Sequence, residues 1–211
     1  NHTFLPSDLA KLALIVTLAS MLSNRQKSID DFQKAIIPML FWIGLICGLI
    51  ALADLSSAIL LFLTCMLILF IGRVPGKYLA MLVVICMSFG SVAFMIGQRG
   101  TTAISRVENF LNDDTPYQAK QAYIAIASGG VVGKGPGQSD QRNFLPHPYS
   151  DFIYAIILEE YGLIGGILIL FLYLALLYRG MKAAEDNDRA YGGLLSAGLS
   201  FALVVQALVN M

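Results

Sequence analysis

The stretch from Tyr117 to Gly166 reads YQAKQAYIAIASGGVVGKGPGQSDQRNFLPHPYSDFIYAIILEEYGLIGG. Charges, glycines, prolines and aromatics crowd its first part, and Asp151 closes that part where a long apolar run begins. On both sides the chain is apolar, in runs close to the roughly 20 residues that cross a bilayer as a helix. With 57% hydrophobic and 13% charged residues, it departs from soluble globules, which carry about a quarter charged residues. The expected fold is all-α: a polytopic integral membrane protein of one domain, residues 1–211, with about six transmembrane helices and one large loop, 98–150.

Working outward from that loop, residues 152–178 and 191–211 read as the spans that follow it. Before it lie candidate spans at 9–22, 35–52, 58–72 and 78–97. Asp54 marks a tight turn between two of them, because the joined length would exceed any bilayer. Pro38 sits early in its helix, where proline marks a first turn or a kink. The sequence opens at Asn1 without a signal-peptide pattern and stops at Met211 within an apolar run, which reads as an internal piece of a longer protein.

Charge sets the expected topology. Three Lys/Arg residues fall in 24–34, two in 73–77 and three in 179–189, whereas the 53–57 turn has none. Six helices in series put the basic loops on one side, cytoplasmic by the positive-inside tendency, and turn the 98–150 loop outward. The formal net charge is zero, so nothing points to nucleic acid. Cys47, Cys65 and Cys86 lie inside apolar runs, without disulfide or zinc spacing, and read as small buried hydrophobes.

Within the long loop, 118–128 reads as a short amphipathic helix that stops at Gly129-Gly130. Gly133-Lys134-Gly135 follows; its amides could meet an anion beside Lys134, though a plain flexible turn reads equally well. Asp151 reads either as the cap of the helix starting at Phe152 or as an acid held at the membrane surface, suited to chemistry on a lipid-linked substrate. On a continuous helix, Leu158, Gly162 and Gly165 fall within about 40° of Asp151 and Glu159 at about 80°, giving a glycine-lined face with a carboxylate beside it. Glu160 points the opposite way, toward a neighbouring helix. Lys11, three residues after Asp8, is either a snorkelling lysine paired to that aspartate or a cation that meets a lipid phosphate.

At these residues the sequence resembles the SEDS family (shape, elongation, division, sporulation), and its division-type branch more than its rod-type branch. The resemblance is carried by Pro6-Ser7-Asp8-x-x-Lys11, Arg106-x-x-x-Phe110, Tyr117-Gln118 with Gln121, Ser128-Gly129-Gly130 and Gly133-Lys134-Gly135. It continues through Leu145-Pro146, Ser150-Asp151-Phe152-Ile153, Glu159-Glu160-x-Gly162-x-x-Gly165 and Gln206-x-x-x-Asn210-Met211. The family's glutamine before Pro6 is Leu5 here, and Asp8 replaces its glutamate. Its QPDxG turn reads Leu52-Ala53-Asp54-Leu55-Ser56, and His147, Tyr149 and Ser150 depart from its pattern before Asp151.

The resemblance implies a fold of about ten transmembrane helices, of which this sequence covers about six. It also implies a bacterial cytoplasmic-membrane enzyme, a peptidoglycan glycosyltransferase that polymerises lipid II and releases undecaprenyl pyrophosphate. Its partners would be a class B penicillin-binding protein (a transpeptidase) and other division proteins. Asp151 takes the position of the family's catalytic aspartate. Lys11 and Arg106, with Lys134 and Glu159, are the candidate substrate-binding residues. A divalent cation, Mg2+ or Mn2+, could share in neutralising the pyrophosphate, although no ligand cluster in the sequence points to a metal site. The rival readings are a lipid II flippase and a scaffold without chemistry.

Overall fold

The computed structural model describes residues 6–26, 36–96, 116–145 and 151–211, the side chains of 87–96 excepted. Arg106 lies outside the described residues, as do His147, Tyr149 and Ser150. The described residues fold into helices: α1 (Pro6–Asn24), α2 (Ile37–Ala53), α3 (Leu55–Ile71), α4 (Gly76–Ile96), α5 (Tyr117–Gly129), α6 (Ile153–Glu185) and α7 (Ala190–Asn210), with a single 3-10 turn at Gln141–Asn143. The six apolar helices stand where hydropathy placed them, and α5 matches the helix expected in the loop. By length and composition α1, α6 and α7 can each cross a membrane, while α2, α3 and the described part of α4 are shorter apolar helices.

The chain divides into two compact units, one of residues 1–90 and 176–206, the other of 91–175 and 207–211. In the first, buried positions recur at three- and four-residue intervals: Leu14, Leu18 and Leu22 in α1, Met39, Ile43, Cys47 and Ile50 in α2, Ala58, Leu61, Cys65 and Ile68 in α3. This is the spacing of one helix face turned to a core. The opposite faces are apolar as well, with Phe41, Leu49, Leu52 and Phe70 all exposed. Soluble proteins rarely show large contiguous apolar patches, so this surface belongs against lipid. Cys47 and Cys65 are free thiols within the core, as small hydrophobes would be.

Asp54 is the whole joint between α2 and α3. Its extended backbone (φ −148°, ψ 104°) stops one helix, and its carboxylate starts the next by accepting a hydrogen bond from the Ser56 amide at 3.0 Å. A proline stands in the first turn of α2. The end of α6 packs closely on α7. Ser196 Oγ donates to the Gly180 carbonyl at 3.0 Å, and a Cβ at Gly180 would overlap the Ser200 side chain. Small residues here bring the helices together, as is common between membrane helices.

In the second unit, α6 is not the continuous span that periodicity predicts. It breaks at Gly162, whose backbone (φ 66°, ψ −168°) occupies a region open almost only to glycine. A nine-residue piece, 153–161, precedes the break, and a long apolar helix follows it. Faces drawn on a straight helix do not carry across such a break, so the expected glycine-lined face running from Asp151 through Gly162 to Gly165 is not formed.

Candidate functional site

The break in α6 exists because the loop after α5 occupies it. α5 stops at Gly129, and Gly130 (φ 58°) turns the chain back. Residues 130–135 then run along the break and pair with the backbone groups it releases. Lys134 N–H donates to the Glu159 carbonyl at 3.0 Å and Gly135 N–H to the Glu160 carbonyl at 2.9 Å. In return Leu163 N–H donates to the Gly130 carbonyl at 3.0 Å and Ile164 N–H to the Val131 carbonyl at 3.3 Å. In an apolar layer every freed N–H and C=O needs a partner, and the loop supplies them. Closeness demands glycine on both sides: a Cβ at Gly129 would strike the Leu158 carbonyl, and one at Gly162 the Val131 carbonyl.

Glu159 sits at the centre of this arrangement with 0% exposure. Four groups donate to its carboxylate, and the one proton of Ser128 Oγ is shared between Glu159 Oε1 at 3.3 Å and the Ala125 carbonyl at 3.0 Å. On Oε1 the donors are Lys134 Nζ at 2.7 Å and the Asp140 amide at 3.2 Å. On Oε2 they are Ser139 Oγ at 2.5 Å and the Gln141 amide at 3.3 Å. A carboxylate offers about four lone-pair sites, so none is left for a further ligand. A buried charge is tolerable only when paired and hydrogen-bonded, and here both conditions hold.

Lys134 is shared between two carboxylates, Asp140 Oδ2 at 2.8 Å and Glu159 Oε1 at 2.7 Å. Asp140 and then Glu159 hold its pKa above the ordinary lysine value, so it stays protonated through neutral pH. Of the two readings of Gly133-Lys134-Gly135, the anion cradle is not presented, because all three amides already donate to backbone carbonyls. Ser139, Asp140 and Gln141, and the approach of Ser128 to Glu159, have no signal in the sequence. They stand 18 to 31 residues from Glu159, and only the loop's path brings them to it.

Asp151 is exposed, in a turn that leads into α6 at Ile153. Among the described residues no hydrogen bond or ion pair engages its carboxylate. It stands two residues before the short helical piece that carries Glu159.

Lys11, in the other unit, pairs with Asp8 Oδ1 at 3.1 Å, with Lys11 mostly buried and Asp8 exposed. It lines a small cavity of about 30 Å3 together with Ser57, Thr64 and Gln206, room for a water or two. The Ser57 hydroxyl is the main cause holding the Asp54 carboxyl below its ordinary pKa, and the Lys11 charge adds to it. Lys11 thus lies near the joint between α2 and α3. The described residues contain no group of three or more His, Cys, Asp or Glu side chains able to hold a metal ion.

Comparison with known proteins follows this geometry. Residues 2–211 match the family model described as "Cell cycle protein", which joins FtsW, RodA and SpoVE. "Stage V sporulation protein E" of Bacillus subtilis is 34% identical over 98% of this chain and 57% of its own length. "Probable peptidoglycan glycosyltransferase FtsW" of Geobacter metallireducens is 31% identical over 98% of this chain and 56% of its own length. The chain therefore spans a little over half the length of these relatives. Sporulation and division names stand at similar identity, so the likeness marks the family and not one branch. A solved chain, described under "Structural coordination of polymerization and crosslinking by a peptidoglycan synthase complex", superposes with a TM-score of 0.70 at 22% identity, over 98% of this chain and 58% of that one; that likeness concerns the fold. With a family model matched from residue 2 to residue 211, the chain belongs to the FtsW, RodA and SpoVE family of membrane cell cycle proteins.

Proposed function

We propose that the whole protein polymerises glycan strands from lipid-linked disaccharides, lipid II, at the outer face of the bacterial cytoplasmic membrane. The observation that carries this reading is Asp151: an exposed carboxylate, unengaged among the described residues, at the tip of a broken helix in a chain of this family. Extension requires a sugar 4-hydroxyl to attack the anomeric carbon of a second disaccharide. Asp151 accepts the hydroxyl proton as the new C–O bond forms, and the bond to the pyrophosphate breaks with its electron pair leaving on the phosphate oxygen. Charge growing on that leaving group calls for cations. Lys11 and Arg106 are assigned to it. Lys134 already faces two carboxylates, which weakens its claim to that role, and Glu159 has no free acceptor for a substrate. A Mg2+ or Mn2+ ion held mainly by the pyrophosphate would need only one or two carboxylates and would add to the neutralisation of the leaving group. A relative named as a probable peptidoglycan glycosyltransferase, and a fold neighbour described under a peptidoglycan synthase complex, support a penicillin-binding protein as partner. Basic loops at 24–34, 73–77 and 179–189 support the outward placement of 98–150.

The test is labelled lipid II supplied to the whole protein in liposomes, with and without its transpeptidase partner. Polymer is the expected product; transbilayer movement of lipid II without polymer would overturn the reading. Lys11→Ala should raise KM for lipid II or lower turnover by about tenfold, the scale of one charge-assisted hydrogen bond. A lower melting temperature with unchanged kinetics would instead make the pair with Asp8 purely structural.

A further inference from the structure

The first piece of α6, residues 153–161, is about two and a half turns long, and the helix beyond it is disconnected by Gly162. So short a helix is marginal by itself and takes its direction from what holds it. Ala155, Ile156 and Leu158 pack one side of it. Its polar attachments among the described residues are the backbone bonds between residues 130–135 and the break, and the Glu159 carboxylate, which gathers Ser128, Lys134, Ser139, Asp140 and Gln141 onto one point. Asp151 stands in the turn that leads into this piece.

We infer that Glu159 is a positioning residue, which clamps the 128–141 loop into the α6 break and thereby aims the short helix into which the Asp151 turn leads. This rests on Asp151 being the base of the proposed reaction, but the clamp itself has a readout independent of activity. Several features favour clamping over substrate contact. The side chain has 0% exposure, and both its oxygens are already filled. Two of its donors, the Asp140 and Gln141 amides, belong to the loop backbone. Ser139 is buried with it and also accepts from the Arg142 amide at 3.1 Å, extending the hold to the 3-10 turn. The two glycines that let the surfaces meet, Gly129 and Gly162, have no room for a Cβ. A residue that only filled space would not need these partners.

The experiment uses the whole protein in liposomes with Glu159→Gln and Glu159→Asp, read by amide hydrogen exchange and by steady-state kinetics on lipid II. Glutamine keeps the size and removes the charge that Lys134 and Ser139 meet, while aspartate keeps the charge on a shorter arm. In Glu159→Gln, exchange should rise across 129–141 and 153–161 and stay unchanged across 167–178. Turnover should fall by about 100-fold, the scale of an ångström-level misplacement of a reacting group, with KM within about threefold. Glu159→Asp should recover part of both effects. Should Glu159→Gln fail to fold, Ser139→Ala, which deletes one donor, must show the same pattern in weaker form. Unchanged exchange in the loop and short helix overturns the clamp. Raised exchange with normal turnover per folded molecule overturns the positioning role, and a raised KM at normal turnover returns Glu159 to substrate contact. If the wild-type protein makes no polymer, the proposed reaction fails, while the exchange pattern still decides the clamp.

Discussion

Asp151→Asn is expected to stop glycan-strand synthesis while leaving the protein folded. A positioned general base contributes about 10²- to 10⁴-fold to such a step, and asparagine, with nearly the same shape, cannot take the proton. The carboxylate is exposed and, among the described residues, holds nothing in place. Its loss should therefore change stability by no more than about 0.5 kcal/mol, as at most surface sites. Asp151→Glu keeps the acid but moves it by about a bond length, so partial activity is expected. Turnover on lipid II and a thermal melt of each purified variant separate chemistry from folding. An unfolded Asp151→Asn protein would show instead that this residue is structural.

Gly162→Ala should produce the largest structural defect. The φ of 66° and ψ of −168° cost a non-glycine residue about 1–3 kcal/mol. The added Cβ would also meet backbone, the Val131 carbonyl and the Gly133 amide, which cannot swing aside as a side chain can. Either the loop leaves the break or α6 straightens, and both release Glu159. The expected result is a lower melting temperature, rapid exchange of 129–141 and loss of polymer. Gly44→Ala is the matched control, because a Cβ there meets nothing within 4 Å. A Gly162→Ala protein with normal melting and activity would mean that the break is dispensable.

These two residues also show what the sequence could and could not convey. The six apolar helices were legible because run length and hydropathy are local properties, and so was the joint at Asp54, where one polar residue interrupts two apolar runs. The end of α5 was legible from Gly129-Gly130. The break at Gly162 was not. In YGLIGG the glycines sit among apolar residues, and membrane helices carry many glycines without breaking. What decides it is a loop some 30 residues earlier in the chain whose backbone fits there. The differences around Glu159 follow from that single feature. A straight helix sets the carboxylate beside the glycine-lined face of Asp151, and the Gly133-Lys134-Gly135 turn taken alone is either plain or open to an anion. In the folded protein the loop amides meet the carbonyls of Glu159 and Glu160, and the Glu159 side chain meets the loop. In the sequence Lys11 admits two readings, a paired lysine or a phosphate contact; the pair with Asp8 is formed, beside a small cavity.

The most direct test of the central claim places lipid II in the outer leaflet of liposomes bearing the whole protein with its partner. Polymer is then measured for the wild type and Asp151→Asn side by side. Long glycan from the wild type and none from the folded variant is the predicted result. Equal polymer from both would contradict the assignment of Asp151 as the base.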